Sequence, residues 1–121
     1  MPEAPRKRPE IHTALRSFRG HLRARPAAVF AALVRRLHPE GDASIHYTAD
    51  PAAFLVIVQG GWWYRGEYRV VPDDAGSNLE HVIVNVAQRA RPLSRIIARR
   101  VLVAAPAEFE ALLTGLRREL E

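Results

Sequence analysis

The sequence predicts an α+β fold in which an antiparallel β-sheet is wrapped around a long C-terminal helix. Several short segments between residues 43 and 88 alternate apolar and polar residues, with turn residues between them. Residues 93–120 carry apolar side chains at helical spacing, and this is the segment long enough to cover a sheet. The length of 121 residues fits one domain.

The composition is that of an ordinary globular chain, with 48% hydrophobic and 26% charged residues. Cysteine is absent, which excludes disulfides, thiolate metal sites and cysteine nucleophiles. Residues 1–10 are polar and basic with no apolar run behind them, which predicts a flexible basic tail rather than a secretory signal. Residues 11–121 are expected to form a single domain. No segment approaches the ~20 apolar residues of a membrane span, so we expect a cytoplasmic protein without one.

The net charge of +5 is distributed unevenly along the chain. Residues 1–40 carry nine basic and three acidic side chains, residues 41–88 carry two and six, and residues 89–121 carry seven and four. Basicity alone is a weak indication of nucleic-acid binding, and the acidic middle of the chain weakens it further. Nucleic acid is therefore kept only as a minor alternative partner.

A strand and a helix follow the tail. Residues 11–22 alternate as a half-buried strand does. Pro26 suits the first turn of a helix and pushes Arg25 towards an extended conformation. Apolar residues then recur at helical spacing through residues 26–37, and Pro39 ends the helix.

Four further segments have the pattern of β-strands, so five strands are predicted in all. These segments are residues 43–48, 53–59, 62–71 and 78–88. Gly60 and Gly61 predict a tight hairpin between the second and the third, because both central residues of such turns can need positive φ. The last three segments are expected to form an antiparallel meander.

Alternation also assigns faces to the last two strands. Three aromatic residues, Trp62, Tyr64 and Tyr68, share the face that is expected to look inward, while Trp63 is expected to look outward. The outward face is also expected to carry a ladder of charges, Arg65, Glu67 and Arg69. In the last strand the face expected to look inward is formed by valines, Val82, Val84 and Val86. His81 then falls on the opposite face.

Residues 93–120 form the last predicted element. Pro106 interrupts its apolar stripe, so we expect a kink there or a new helix with Pro106 in its first turn. The densest run of arginines in the sequence lies around the helix start: Arg89, Arg91, Arg95, Arg99 and Arg100. Either a solvated helix start or an anion-binding patch accounts for it.

The segment WWYRGEYRV at residues 62–70, followed by Gly76-Ser77 and by residues 85–87, resembles the SRPBCC or START-like superfamily. This is the helix-grip fold of polyketide cyclase-like proteins and lipid-transfer domains, and the chain is most similar to its small, mostly uncharacterised bacterial members. Arg25-Pro26 leading into Val29-Phe30 is similar to the start of the family's first helix. The resemblance runs from about residue 11 to the C-terminus, with a reduced strand count. It implies a hydrophobic cavity between the sheet and the terminal helix.

No catalytic, metal or cofactor motif is found in the sequence. The five histidines include no pair spaced as metal ligands on a helix, and no serine lies in a nucleophile elbow. The glycines suit hairpins and do not match a phosphate-binding loop. We therefore predict no catalytic residues, no metal and no cofactor, and enzymatic activity is left open with the balance against it.

The inward aromatic row and the resemblance favour a binding module for a small hydrophobic molecule. The ligand-binding residues are expected to be Trp62, Tyr64, Tyr68, Val82, Val84, Ile97 and Val101. One alternative is a protein-interaction module without a ligand, a homodimer or a partner binder, that uses an exposed Trp63 or the arginine-rich helix start. A lesser alternative is an enzyme of the polyketide cyclase or aromatase type. Aromatic residues that simply pack the core would leave no cavity at all.

Overall fold

The fold has two main layers, an antiparallel sheet and a layer of two helices. The structure is a computed structural model that describes residues 2–42 and 44–121. Its elements are β1 (Thr13–Leu22), α1 (Pro26–Leu37), β2 (Ile45–Asp50), β3 (Leu55–Gly60), β4 (Tyr64–Asp73), β5 (Gly76–Asn85) and α2 (Arg91–Leu120). The five strands lie in the order β1-β5-β4-β3-β2. The predicted fold class, an antiparallel sheet with a long C-terminal helix, is confirmed.

Helix α1 begins and ends where the sequence predicts. Arg25 is extended, with ψ of 144°, and Pro26 occupies the first turn, where its missing N–H costs no hydrogen bond. The helix buries one face against the sheet through Val29, Phe30 and Leu33. The main core cluster joins this face to residues of α2 and of all five strands, which places both helices on the same side of the sheet.

Helix α2 continues through Pro106, so the predicted new helix at this residue is wrong. Proline removes one hydrogen bond from the helix interior, which by itself favours a break. Here the neighbouring residues Ala105 and Phe109 are buried against the sheet. Their packing on both sides of Pro106 holds the helix together, because tertiary contacts dominate helix stability in proteins.

The β3–β4 hairpin has a longer loop than the two glycines predict. Gly60 pairs with Tyr64, which leaves Gly61, Trp62 and Trp63 in the loop, and Gly61 takes the positive φ of 61°. Trp63 is only 6% exposed and packs in a core cluster under α2. The prediction of an outward, exposed Trp63 is therefore wrong, because a loop residue does not follow the alternation of a strand.

The β4–β5 hairpin fixes which face each residue of β5 occupies. Asp73 pairs with Gly76 across a two-residue turn, and the same register sets Tyr68 opposite His81 and Glu67 opposite Val82. Directly paired residues share a face, so His81 faces the helices and the valines face away from them. The prediction that Val82, Val84 and Val86 look towards the terminal helix is therefore wrong. The other strand bounds differ from the predicted ones by a few residues, and Ala43, the predicted start of β2, lies outside the described residues.

Residues 2–9, here called the N-terminal segment, pack on the outer face of the sheet, the face away from the helices. The backbone N–H of Tyr47, on the free edge of β2, donates to the carbonyl oxygen of Pro2 at 2.9 Å. Ala4 is 3% exposed and packs with Leu55 and Ile57 of β3. This differs from the expected flexible tail, because the outer face carries apolar residues that the segment covers.

Arg65 anchors the same segment and is only 1% exposed. Its guanidinium donates to the carbonyl oxygens of Pro5 and Arg6 at 2.6 and 3.0 Å and to the Glu67 carboxylate at 2.8 Å. Arg8 donates to both carboxylate oxygens of Glu67, at 2.7 and 2.9 Å. The predicted exposed ladder of charges is wrong at Arg65, because the N-terminal segment closes over it.

Gly20 lies where β1 passes beneath α2, and we expect Gly20→Ala to lower the free energy of unfolding by about 2 kcal/mol. The added Cβ would overlap the buried side chain of Leu113. Gly60→Ala is the matched control, because its Cβ would lie 3.8 Å from the nearest atom. Urea denaturation measures both variants. Equal stability of the two would contradict the close approach of α2 to β1.

Candidate functional site

An apolar cavity of about 210 Å³ lies between the helix-facing side of the sheet and α2. It is lined by Leu37, Tyr64, Tyr68, His81, Ile83, Val101, Ala105, Glu108, Phe109 and Leu112. An apolar cavity of about 150 Å³ is enough to hold benzene. The space between sheet and helix therefore has room for a molecule of about one ring.

Two tyrosines of β4 project into this cavity from the same face of the sheet. Tyr64 and Tyr68 are separated by Gly66, and a Cβ on Gly66 would lie 2.5 Å from the hydroxyl oxygen of Tyr64. The glycine thus provides the room in which the Tyr64 ring lies back along its own strand towards Tyr68. Both hydroxyls are consequently brought to the same wall of the cavity.

His81 of β5 lies beside them and is held on both sides. Its ring stacks on Tyr68, with 3.9 Å between ring centroids and 7° between planes, and the Phe109 ring of α2 lies 6.1 Å away. Its Nδ1 lies 3.1 Å from the backbone carbonyl oxygen of Glu67. A carbonyl can only accept, so Nδ1 carries the proton and Nε2 is left with a lone pair. Among the described residues, no protein group donates to Nε2.

Burial keeps the polar groups of the cavity neutral. It lowers the pKa of His81 to about 4, against the opposing effects of the carbonyl and the charge of Glu67. Burial raises the pKa of the Tyr64 hydroxyl. A hydrogen bond from Tyr68 lowers this pKa in part, and the charge of Glu108 raises it. Burial also raises the pKa of Tyr68, with further contributions from Tyr64 and Glu108. At neutral pH the cavity therefore offers two phenolic hydroxyls and one imidazole acceptor, with the exposed Glu108 at its rim.

The structure brings three of the seven expected ligand-binding residues to the cavity, namely Tyr64, Tyr68 and Val101. The other four lie elsewhere: Trp62 in the β3–β4 loop, Val82 and Val84 on the outer face, and Ile97 on the exposed side of α2.

Seven lining residues were missed by sequence reasoning: His81, Leu37, Ile83, Ala105, Glu108, Phe109 and Leu112. Of these, His81 supplies the polar group beside the two tyrosines. The position of His81 follows from the length of the β4–β5 turn, since a two-residue turn sets His81 opposite Tyr68, but no glycine at the two central positions reveals that length in the sequence.

The described residues include no group of three or more His, Cys, Asp or Glu side chains that could hold a metal ion. In the same part of the chain, neither helix has the length and apolar character needed to cross a bilayer. Comparison with protein-family models, with curated proteins and with solved structures finds no match to this chain. Fold and cavity therefore define it only as a class, a two-layer α+β domain with a small apolar cavity under its terminal helix.

Proposed function

We propose that this protein binds a small, mostly apolar molecule of about one ring in the cavity between its sheet and α2. The observation that carries the proposal is an apolar space with a few convergent polar groups, which is the usual design of a small-molecule site. Tyr64, Tyr68 and His81 supply those polar groups, and the small side chain of Ala105 leaves space for the ligand. The resemblance to the helix-grip superfamily implies a ligand in the same place, and membership of that superfamily is part of the proposal.

The polar groups favour binding over catalysis. A general acid or base works best when its pKa lies near the working pH. The pKa of His81 lies near 4, and those of Tyr64 and Tyr68 are raised above their usual value. At neutral pH the two tyrosine hydroxyls stay protonated and the His81 ring stays neutral, so none of the three groups exchanges a proton readily. They are suited to orienting a hydroxyl or carbonyl group of a ligand by hydrogen bonds.

Phenol is expected to bind in this cavity more tightly than toluene by about fivefold, the effect of one hydrogen bond worth ~1 kcal/mol. The two molecules have nearly the same shape, but only the phenol hydroxyl can donate to Nε2 of His81. Isothermal titration calorimetry on the purified protein measures both affinities. Native mass spectrometry of the freshly purified protein then shows whether a ligand of similar size is retained.

Ala105→Leu is the variant that localises the site, because its larger side chain would occupy the cavity and abolish phenol binding. Ala107→Leu is the matched control on the same helix, since Ala107 is exposed and does not line the cavity. If phenol binds both variants as it binds the unchanged protein, the binding site is not this cavity. If the unchanged protein binds neither probe, the proposed single-ring ligand is ruled out.

A further inference from the structure

Four of the six large apolar side chains in the first half of α2 face away from the protein, while Val101 and Leu102 pack against the core. The buried positions of this half are small residues, Ser94, Ala98 and Ala105. Leu93, Ile96 and Ile97 are 51%, 60% and 37% exposed, and Val103 is 82% exposed. With Arg100 these residues follow the spacing i, i+3, i+4, i+7 and i+10, which forms one stripe on a helix. We call this stripe the α2 ridge.

A further exposed apolar residue lies at the same end of the molecule. Ile11 is 55% exposed, and its carbonyl oxygen accepts a hydrogen bond from Gln88, just before α2 begins. Among the described residues, the exposed large hydrophobic side chains are therefore those of Ile11 and of the α2 ridge. Exposed apolar residues scattered singly need no explanation, whereas a contiguous set marks an interaction surface.

The stretch of sequence that carries the ridge holds charges of a single sign. The sequence from residue 81 to residue 107 holds five arginines and no acidic residue. Within the described part of the chain, none of these arginines forms an ion pair. A convex helix that presents aliphatic side chains between arginines complements a surface that is anionic outside and apolar beneath.

We propose that the α2 ridge docks on a membrane surface rich in anionic lipids, with its aliphatic side chains inserted at the headgroup level and with Arg100 and the neighbouring Arg95 and Arg99 on the lipid phosphates. A second copy docked through the same ridge is disfavoured, because it would place two sets of like-charged arginines together. A nucleic acid is disfavoured, because its charged phosphates would lie against the aliphatic side chains. A fluid lipid surface satisfies both the shape and the charge of the ridge.

Vesicle co-sedimentation tests the proposal with the full chain. The protein is expected to bind vesicles of phosphatidylcholine and phosphatidylglycerol in equal amounts, and to stay in solution with pure phosphatidylcholine. The double variant Arg95→Gln, Arg99→Gln is expected to lose roughly 30-fold in partitioning, about fivefold for each arginine near an anionic surface. The variant Leu93→Ser, Ile96→Ser is expected to lose binding as well.

A second pair of exposed arginines is the control for general loss of charge. Arg25→Gln, Arg69→Gln removes the same charge far from the ridge and should leave binding unchanged. Circular dichroism verifies that all variants are folded. Equal loss in the control pair, or no binding to the anionic vesicles, would overturn the proposal. A dimer in analytical ultracentrifugation that Leu93→Ser, Ile96→Ser dissociates would overturn it in favour of a second copy.

Discussion

Replacing Glu67 by alanine is expected to lower the free energy of unfolding by about 3 kcal/mol, because it leaves the buried guanidinium of Arg65 without its counter-charge. Arg65 is 1% exposed, and its remaining partners include two uncharged backbone carbonyl oxygens, those of Pro5 and Arg6. Glu67 also pairs with Arg8, so its loss frees the N-terminal segment. Urea denaturation at neutral pH measures the effect.

Glu80→Ala is the matched control for this substitution. Glu80 belongs to the neighbouring strand and pairs with Arg19 at 3.6 Å, with both side chains well exposed. Exposed ion pairs contribute ~0–1 kcal/mol, so this variant should unfold almost as the unchanged protein does. Equal destabilisation by the two substitutions would show that Arg65 does not depend on Glu67 for its burial.

Acidification is expected to remove about 3 kcal/mol of stability through His81 alone, since each tenfold change in proton affinity corresponds to ~1.4 kcal/mol. The folded pKa of about 4 lies below the ordinary histidine value of 6.5. The neutral ring is favoured in the folded state, so this stability is complete above pH 6.5. It is lost progressively as the pH falls from 6.5 to about 4, because the unfolded chain takes up the proton first.

Thermal or urea unfolding between pH 7 and pH 4 checks this dependence. His81→Phe keeps an aromatic ring on Tyr68 but cannot titrate, so its stability should fall less over this range. His46→Phe is the control, because His46 is exposed on the outer face of the sheet. An unchanged pH dependence in His81→Phe would mean that the folded state does not depress the pKa of His81. Burial raises the pKa of Glu67, but the hydrogen bonds and charges of Arg8 and Arg65 outweigh it, so that the pKa is lowered overall. Below pH 4.5, protonation of Glu67 therefore lowers the stability of the unchanged protein and of His81→Phe alike.

The sequence predicted the elements well, because each depends on local chemistry. The extended Arg25 and the first-turn Pro26 fix the start of α1, and apolar periodicity fixes its buried face. Tyr64 and Tyr68 were placed on the correct face, since the extra loop residues of the β3–β4 hairpin move the strand start by two and preserve the alternation.

The faces of β5 could not be read from the sequence in the same way. A change of one residue in turn length moves every side chain of a strand to the other face, and Asp73–Gly76 offers no glycine at its two central positions to reveal that length. For this reason Val82 was predicted on the inward face and His81 on the outward face, the reverse of what the structure shows. Arg65 and Trp63 were missed because long-range packing, by the N-terminal segment and by α2, buries them.

The N-terminal segment has a consequence for the order in which this chain becomes structured. Its hydrogen bonds to the sheet join residues 44 and 60 positions apart, between Ala4 and Thr48 and between Pro5 and Arg65. The N-terminal segment leaves the ribosome before β2, β3 and β4, and it has nothing to dock on until those strands have formed. Closing such long loops costs more chain entropy than closing a hairpin, and this cost must be met before the non-local contacts can stabilise the segment. The N-terminal segment is thus made before the sheet but becomes ordered after it.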